Sequence, residues 1–327
     1  MVRSKHIRHL ASQRGIALLL VLWVLTILTA IVFSFALLTR TETHSTISFI
    51  ERMKQRYCAE AGVERAIAEI IYRRKNLNNK DSDIWKTDRT PYSGRVGDGH
   101  YIVRIIDESG KIDVNAASGI LLKNIFLELG AKDGDADVIA DSIMDWKDKD
   151  ELHRLHGAES DYYQSLPNPY NAKNADFDAL DELLLVKGVT PEILYGTTDK
   201  KGAVDLLTVF TKNNRINLNA APKEVLKTLP GMTQDAADRI ADYRRDRTML
   251  TTQDIQQVLG NAYNVIAPYI FAGDTGTVTI DATGYTTDEK TGYRIIATVF
   301  ISINNSAEYL YYKSPAPSRK KDEDNNN

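Results

Sequence analysis

A run of acidic side chains near the middle of the chain is the feature that could do chemistry. Its members are Asp141, Asp145, Asp148, Asp150 and Glu151, followed after Gly157 by Glu159 and Asp161. Hard carboxylate oxygens gathered where a helix gives way to a loop suit Ca²⁺, which tolerates irregular geometry and takes about six to eight oxygen ligands. The spacing is not that of an EF-hand loop, and a solvated acidic face explains the same run equally well.

The residues around this run do not indicate catalysis. His153 and His156 lie close to it in sequence, but they lack cysteine partners and any recognisable zinc-enzyme signature. The sequence also shows no convincing nucleophile–base pair, phosphate-binding loop or pair of catalytic acids. We therefore expect a protein that is not an enzyme.

An uncharged stretch near the N-terminus predicts a membrane span. Residues 16–39 carry no charged side chain, and Arg3, Lys5, Arg8 and Arg14 precede them. At about 1.5 Å rise per residue, a helix of roughly 24 residues is about 36 Å long, which suffices to cross a bilayer core with some tilt. The basic residues place the N-terminus in the cytoplasm. A secretory signal would be shorter and would end in a small-residue cleavage site.

Gly15 lies at the cytoplasmic edge of this span, where a cut would leave the apolar helix as the new N-terminus. This arrangement resembles a type IV prepilin-like leader, with cleavage after Gly15 and N-methylation of Ile16. The family pattern has Phe or Met first and glutamate fifth in the mature chain, whereas this chain has Ile16 and Leu20. A subunit with no other ahead of it needs no such carboxylate, so the departure favours a tip subunit. A plain signal anchor that contains a glycine is the alternative.

The helical pattern continues beyond the span to about Arg74. A set of apolar residues near the spacing of one helical face predicts the side that packs: Phe49, Met53, Tyr57, Ala61, Ile67 and Ile71. Cys58 is the only cysteine, so an intramolecular disulfide is excluded, and we expect it to pack as a small apolar residue.

The rest of the chain predicts an α+β fold with two soluble parts. The 327 residues have a net charge of −3 and are 43% hydrophobic, an ordinary globular composition. Strands are predicted at 100–107, 278–282, 293–303 and 309–313, with a turn at 287–292. Residues 76–99 read as a loop in which only Ile84, Trp85 and Tyr92 dock. Residues 115–268 are helical in pattern, so the simplest arrangement is a long helix on a small antiparallel sheet, with a helical domain inserted between strands.

The helical part contains an internal repeat. Residues 111–117 are similar in sequence to residues 215–221, and each copy is followed by a leucine-rich helix, a glycine and a second helix. Asn115 and Asn219 are expected to cap the helix that follows, by accepting a hydrogen bond from a free backbone amide.

The second copy resembles a helix-hairpin-helix motif, which often binds DNA phosphates. Residues 213–247 carry seven basic and five acidic side chains, whereas residues 111–151 carry five basic and ten acidic ones. A DNA-binding pair should present a basic stripe, and the first copy would repel phosphate. We therefore interpret the hairpins as packing units.

The order of several motifs resembles the K-type minor pseudopilin of type II secretion, the GspK family. Residues 107–116 resemble its E-x-G-K-I-N-V-N motif, residues 145–150 its D-W-x-D-x-D motif, and residues 157–163 its G-A-E-x-x-Y motif. Residues 174–189 and the repeat at 215–247 resemble two further segments. The resemblance covers nearly the whole mature chain.

The resemblance implies a type IV pilin-like fold with an inserted all-α domain of the helix-hairpin-helix or SAM-like kind. The domain bounds that it implies are leader 1–15, transmembrane helix 16–39, pilin-like part 40–111 and 272–313, insert 112–271, and disordered tail 314–327. It also implies a single-pass inner-membrane protein with its bulk in the periplasm, which forms the pseudopilus tip with I-type and J-type minor pseudopilins. The major pseudopilin and the prepilin peptidase would be further partners.

Calcium is associated with the helical domain of this family, which implies that the acidic run includes metal ligands. Asp148, Asp150 and Glu159 are the residues we expect to bind it. No nucleic acid is expected as a partner. The alternatives are a membrane-anchored helix-hairpin-helix DNA-binding protein and a minor pilin of a type IV pilus.

Overall fold

The computed structural model describes residues 10–75, 85–197, 199–246, 249, 251–273, 275–286 and 292–317. The basic leader residues Arg3, Lys5 and Arg8, the docking residue Ile84 and the turn at 287–291 lie outside the described residues.

One helix, α1, runs from Leu10 to Lys75 and confirms the long helix that the sequence predicted. Its N-terminal part is long and apolar enough to cross a membrane, and its side chains in that part are exposed. Thr29 and Thr39 donate their hydroxyls to the carbonyls of Leu25 and Phe35, four residues earlier. Polar side chains within the apolar stretch are thereby satisfied inside the helix, as a lipid surrounding requires.

From Ile16 onward, the buried side chains of α1 lie in its last third. Cys58, Ala59, Val63, Ala66, Ile67 and Ile70 are buried there. The predicted packing face is confirmed at its C-terminal end, where Ile67 is buried and Ile71 packs against the same core. It is wrong at Phe49 and Tyr57, which are 65% and 60% exposed, because the sheet reaches only the end of the helix. The prediction for Cys58 is confirmed, since its side chain is 4% exposed and burial raises the pKa of its thiol.

A five-stranded antiparallel sheet packs on this end of α1 in the order β1-β2-β7-β8-β9. Its strands are β1 Tyr92–Val96, β2 Gly99–Asp107, β7 Thr277–Tyr285, β8 Tyr293–Ile301 and β9 Ala307–Lys313. The four predicted strands are confirmed. The predicted loop at 76–99 is wrong at its end, because residues 92–96 pair with β2. The predicted docking of Trp85 and Tyr92 is confirmed, since both pack against the sheet core and stack with ring centroids 4.5 Å apart. The α+β class is confirmed.

The chain between β2 and β7 is mostly helical, as predicted. Its helices are α2 Gly119–Glu128, α3 Asp133–Lys147, α4 Ser160–Gln164, α5 Pro191–Tyr195, α6 Ala203–Leu206, α7 Lys223–Thr228, α8 Gln234–Asp246, α9 Thr252–Leu259 and α10 Tyr263–Ile266. Short 3₁₀ helices lie at Glu108–Gly110, Leu180–Leu185, Gly260–Ala262 and Ala267–Tyr269. Two short parallel pairs join β3 Ile112–Asp113 to β4 Leu207–Thr208, and β5 Ile216–Asn217 to β6 Ile270–Phe271.

The described residues form two separate hydrophobic cores. One lies between α1 and the sheet and runs through residues such as Val63, Val103, Ile280 and Val299. The other lies within the helical part and runs from Ile112 to Ile270. Each part of the fold therefore buries its own apolar surface, which is what two independently packed units require.

The start of the predicted tail is ordered rather than disordered. The backbone N–H of Ala316 donates to the carbonyl of Arg294 at 2.8 Å, and Ala316 is 8% exposed. The Arg294 guanidinium in turn donates to the carbonyl of Pro317. The disorder prediction is thus wrong for residues 314–317, because these residues pack along β8, and residues 318–327 lie outside the described part of the chain.

Gly284 on β7 tests the contact on which the pilin-like part depends. A Cβ at this position would meet the backbone of Gln55 and Ala59 in α1. We expect Gly284→Val to lower the free energy of unfolding by about 1–3 kcal/mol through this overpacking. The measurement is thermal unfolding of the detergent-solubilised chain. Gly134→Ala is the control, since a Cβ there meets nothing within 4 Å, and equal stability of both variants would contradict the prediction.

Candidate metal centre

The helical part is built from two copies of one unit. In each copy a two-residue parallel strand leads into a pair of helices: β3 precedes α2 and α3, and β5 precedes α7 and α8. The glycines between the paired helices, Gly130 and Gly231, both adopt a positive φ, at 91° and 81°. Glycine adopts this conformation at no steric cost, so the repeat seen in sequence is also a repeat of backbone geometry.

The repeated asparagines act differently from our expectation. The Asn115 side chain donates to the carbonyl of Phe177 at 2.9 Å and accepts from the Phe177 amide at 2.8 Å. Asn219 makes the same pair of bonds with Met249, both at 2.9 Å. The helix N-caps are Ser118 and Pro222 instead. The capping prediction is therefore wrong, because each asparagine bonds to a distant chain segment instead of to the helix that follows it.

A half-buried cation at the end of the second helix also recurs in both copies. Lys147 donates its ammonium to the carbonyls of Val114, Asn115 and Ala117, at 2.7–3.3 Å. Arg244 donates to the equivalent carbonyls of Leu218 and Ala221. Burial lowers the pKa of both side chains. Both cations thus stabilise the repeated unit by donating hydrogen bonds to its backbone carbonyls.

The two copies differ in the length of one connection. It joins the end of the second helix to the residue whose backbone the asparagine binds, which is Phe177 in the first copy and Met249 in the second. In the second copy this connection is residues 247–248, whereas in the first copy it is residues 148–176. The longer connection covers the C-terminal end of α3. Its effect is visible at Asp145, which is 0% exposed, although Asp242 at the matching position has a side chain 65% exposed.

Three of the acidic residues in and beside this connection lie together. Asp148, Asp150 and Glu159 each offer a carboxylate oxygen within 4.8 Å of the others. Glu159 is 1% exposed, and neither of its oxygens has a hydrogen-bond partner among the described residues. Oδ1 of Asp148 is also buried without a partner. Since an unpaired buried carboxylate is costly, these oxygens are arranged as a cation site would be.

The charge around Glu159 has a measurable consequence for its titration. Burial raises the pKa of Glu159 to about 7, and the charges of Asp145, Asp148, Glu151 and Asp150 add to the effect. A carboxylate with this pKa holds a proton that a bound cation would displace. Hard oxygen donors without cysteine or histidine in the group fit Ca²⁺ better than a transition metal.

The remaining acidic residues hold the connection in place. Glu151 accepts from the Ser160 hydroxyl and from the side-chain amide of Asn174. Asp141 accepts from the His156 backbone amide, and Asp161 pairs with the His153 imidazole at 3.0 Å. The His153 side chain and the His156 backbone amide therefore contact acidic residues outside the three-carboxylate group.

Gly157 has a steric reason to be glycine. A Cβ at this position would lie 2.7 Å from Cγ of Asp145 and collide with that carboxylate. The G-A-E segment thus brings the backbone against Asp145 and, two residues later, delivers Glu159 to the group.

Sequence reasoning missed two residues of the site. Arg154 forms ion pairs with both Asp145 and Asp148, each at 2.5 Å. Asn174 has a positive φ of 51° and a buried, unpartnered Oδ1. An arginine within an acidic run and an asparagine at the end of the long connection were the available signals.

Comparison with known proteins places these features in context. The family model of "Type II secretion system (T2SS), protein K" matches residues 100–196, which include β2, the first copy of the repeat and the three carboxylates. A type II secretion protein K homologue of Escherichia coli (strain K12) is 26% identical over 196 residues, or 56% of this chain and 60% of the relative. The type II secretion system protein K of Pectobacterium carotovorum subsp. carotovorum is 24% identical over 199 residues, with the same coverage. The chain thus spans 60% of the length of these relatives.

A solved structure shares the fold over a larger part of the chain. The crystal structure of the GspK-GspI-GspJ complex from the type 2 secretion system of enterotoxigenic Escherichia coli contains a chain that matches with a TM-score of 0.66. The match is 14% identical and covers 84% of this chain and all of the other. The resemblance predicted from the motifs is confirmed.

The pKa of Glu159 predicts how stability without metal depends on pH. Because its native pKa of about 7 lies above the usual 4.5, the native state holds the proton more tightly than the unfolded state does. As the pH rises from 4.5 to 7, the free energy of unfolding of the wild type should therefore fall. Its fall should exceed that of Glu159→Gln by at most about 3 kcal/mol.

The measurement is chemical unfolding of the detergent-solubilised chain in chelator across this pH range. Glu128→Gln on α2 is the matched control and should keep the wild-type slope. With added CaCl₂, the free energy of unfolding should have the same slope against pH in wild type and in Glu159→Gln. Equal slopes for the two proteins in chelator would contradict the prediction.

Proposed function

We propose that this member of the type II secretion system protein K family is a minor pseudopilin that caps the periplasmic pseudopilus. In this proposal it assembles with I-type and J-type minor pseudopilins, stands above the major pseudopilin filament, and supports export across the outer membrane without catalysis. The observation that carries the proposal is one helix with a membrane-length apolar part that continues into an antiparallel sheet interrupted by a helical insert.

The exposed part of α1 between the apolar stretch and the sheet supports assembly through helices. Phe49, Ile50 and Tyr57 are 65%, 47% and 60% exposed there, although the segment follows the apolar stretch and precedes a packed core. Positions 49, 53 and 57 follow each other at the spacing of one helical face. An apolar face of this kind in water favours packing against a partner helix.

The helical insert supports a terminal position. It enters the chain after β2 and leaves it before β7, two neighbouring strands, so its core stands beside the sheet that packs on α1. The junction is closely packed: Lys111 and Glu108 form a buried ion pair at 2.8 Å, and Gly110 packs against the backbone of Ala220 and Ala221. A wide head fixed in this way hinders another subunit from stacking above it.

Calcium bound by Asp148, Asp150 and Glu159 would have a structural role in this proposal. These residues come from the end of α3 and from the long connection. The ion would supply positive charge to the group and so join the connection to the repeat. Its chemistry would be that of a crosslink between chain segments.

The basic side chains of the second helix pair disfavour the DNA-binding alternative. Lys223 pairs with Asp238, Lys227 with Glu128, and Arg245 with Asp242. Arg239 pairs with Asp235 as well. Cations engaged with carboxylates would have to give up these pairs to contact phosphates, which weakens any electrostatic attraction to DNA.

Co-capture tests the proposed assembly. The affinity-tagged full chain, solubilised in mild detergent, should capture the I-type and J-type pseudopilins of the same secretion system. Phe49→Glu with Tyr57→Glu should reduce capture at least tenfold, since two charges would be buried in the helix contact. Ile303→Glu is the control, because Ile303 is 98% exposed at a turn of the sheet. Capture of type IV pilus subunits instead, or salt-sensitive binding of duplex DNA, would favour the alternatives.

Intact mass tests processing at the leader. We expect membrane-extracted protein to begin at Ile16 and to carry an N-methyl group when the prepilin peptidase is present, and to keep residues 1–15 when it is absent. Gly15→Leu should block the cut in both strains. A full-length mass in the presence of the peptidase would identify a static anchor and contradict the pseudopilin assignment.

A further inference from the structure

Arg154 occupies the position at the metal centre where an internal positive charge is needed. One guanidinium nitrogen, Nη1, lies 2.5 Å from Oδ1 of Asp145 and 2.5 Å from Oδ2 of Asp148. The Arg154 backbone amide also donates to Asp145, at 3.2 Å to Oδ2. A single cationic group thus bridges two carboxylates, as a metal ion would.

The two carboxylates that Arg154 bridges differ in burial and in whether they belong to the candidate calcium group. Asp145 is fully buried and belongs to α3, whereas Asp148 belongs to the candidate calcium group. Only one oxygen of Asp148 is engaged by Arg154, and the other, Oδ1, is buried without a partner. Asp148 is therefore shared between the arginine on one side and the group containing Glu159 on the other.

Electrostatics determines whether Arg154 strengthens or weakens the binding of a cation at this group. A guanidinium held against Asp148 reduces the negative potential that a divalent cation would meet at the neighbouring oxygens. Removal of the positive charge would leave Asp145 and Asp148 uncompensated, which raises the attraction for a cation and lowers the stability of the metal-free chain. The Arg154 side chain is 35% exposed, so the charge can be removed without opening a large cavity.

We propose that Arg154 is an internal counter-ion that stabilises the metal-free centre and weakens calcium binding. It acts on the ion through Asp148 and is therefore a positioning residue. The inference rests on the calcium site proposed above. It predicts that Arg154 and calcium are negatively coupled, so that the stability that each contributes is smaller when the other is present.

Calcium titration of the full chain in detergent tests this coupling. Isothermal titration with CaCl₂ should give roughly tenfold tighter binding for Arg154→Met than for wild type, from the loss of one nearby charge. The same variant should unfold at a lower temperature in chelator and gain more from calcium. Arg154→Lys keeps the charge and should bind calcium with an affinity near that of wild type.

Arg294→Met is the matched control. Arg294 forms a comparable buried pair with Asp281, at 2.7 Å, in the sheet. This variant should lower stability in chelator but leave calcium affinity unchanged, which separates a specific effect from general destabilisation.

The outcomes are distinct. Unchanged or weaker calcium binding by Arg154→Met would overturn the inference, as would a tenfold gain in Arg154→Lys. If Arg154→Met is unfolded in chelator, calcium must restore its fold, and failure to do so would also overturn the inference. If wild type itself shows no calcium binding, the proposed calcium site is wrong, whatever the stability of the variants.

Discussion

The helical part of the molecule depends on how buried negative charge is neutralised at the end of α3. Asp145 and Glu159 are almost fully buried, and Asp148 has one buried oxygen without a partner. Like charges at such distances oppose folding unless a proton, an arginine or a metal compensates them. The structure contains two of these solutions: the raised pKa of Glu159 allows a proton, and Arg154 bridges Asp145 and Asp148. A calcium ion at the free oxygens would be the third.

This centre lies on a duplicated scaffold that is itself held by backbone hydrogen bonding. Asn115 and Asn219 each bond both backbone groups of a distant residue, and Lys147 and Arg244 satisfy carbonyls at matching positions. The scaffold is therefore the same in both copies. The copy with the long connection gains the acidic group, and the copy with the short one leaves Asp242 in solvent. The centre can thus be understood as an addition to the repeated unit.

Much of the architecture could be predicted from sequence because it depends on local pattern. β-Branched and aromatic residues and a turn-forming segment predicted β2, β7, β8 and β9, and the continued helical pattern predicted α1. The buried face of α1 could not be predicted, since it depends on where the sheet ends. The role of Asn115 was misread because its partner, Phe177, lies 62 residues away. For the centre, Asp148, Asp150 and Glu159 were identified from their types and from a family resemblance, whereas Arg154 required the three-dimensional contacts.

Anomalous scattering tests the calcium centre most directly. Crystals of the full chain grown in detergent with CaCl₂ would be measured at a long X-ray wavelength, where calcium scatters anomalously. We expect a peak about 2.3–2.6 Å from oxygens of Asp148, Asp150 and Glu159, with the Arg154 guanidinium still within hydrogen-bond distance of Asp145. An ordered centre without a peak, with Glu159 hydrogen-bonded to protein or water instead, would contradict it.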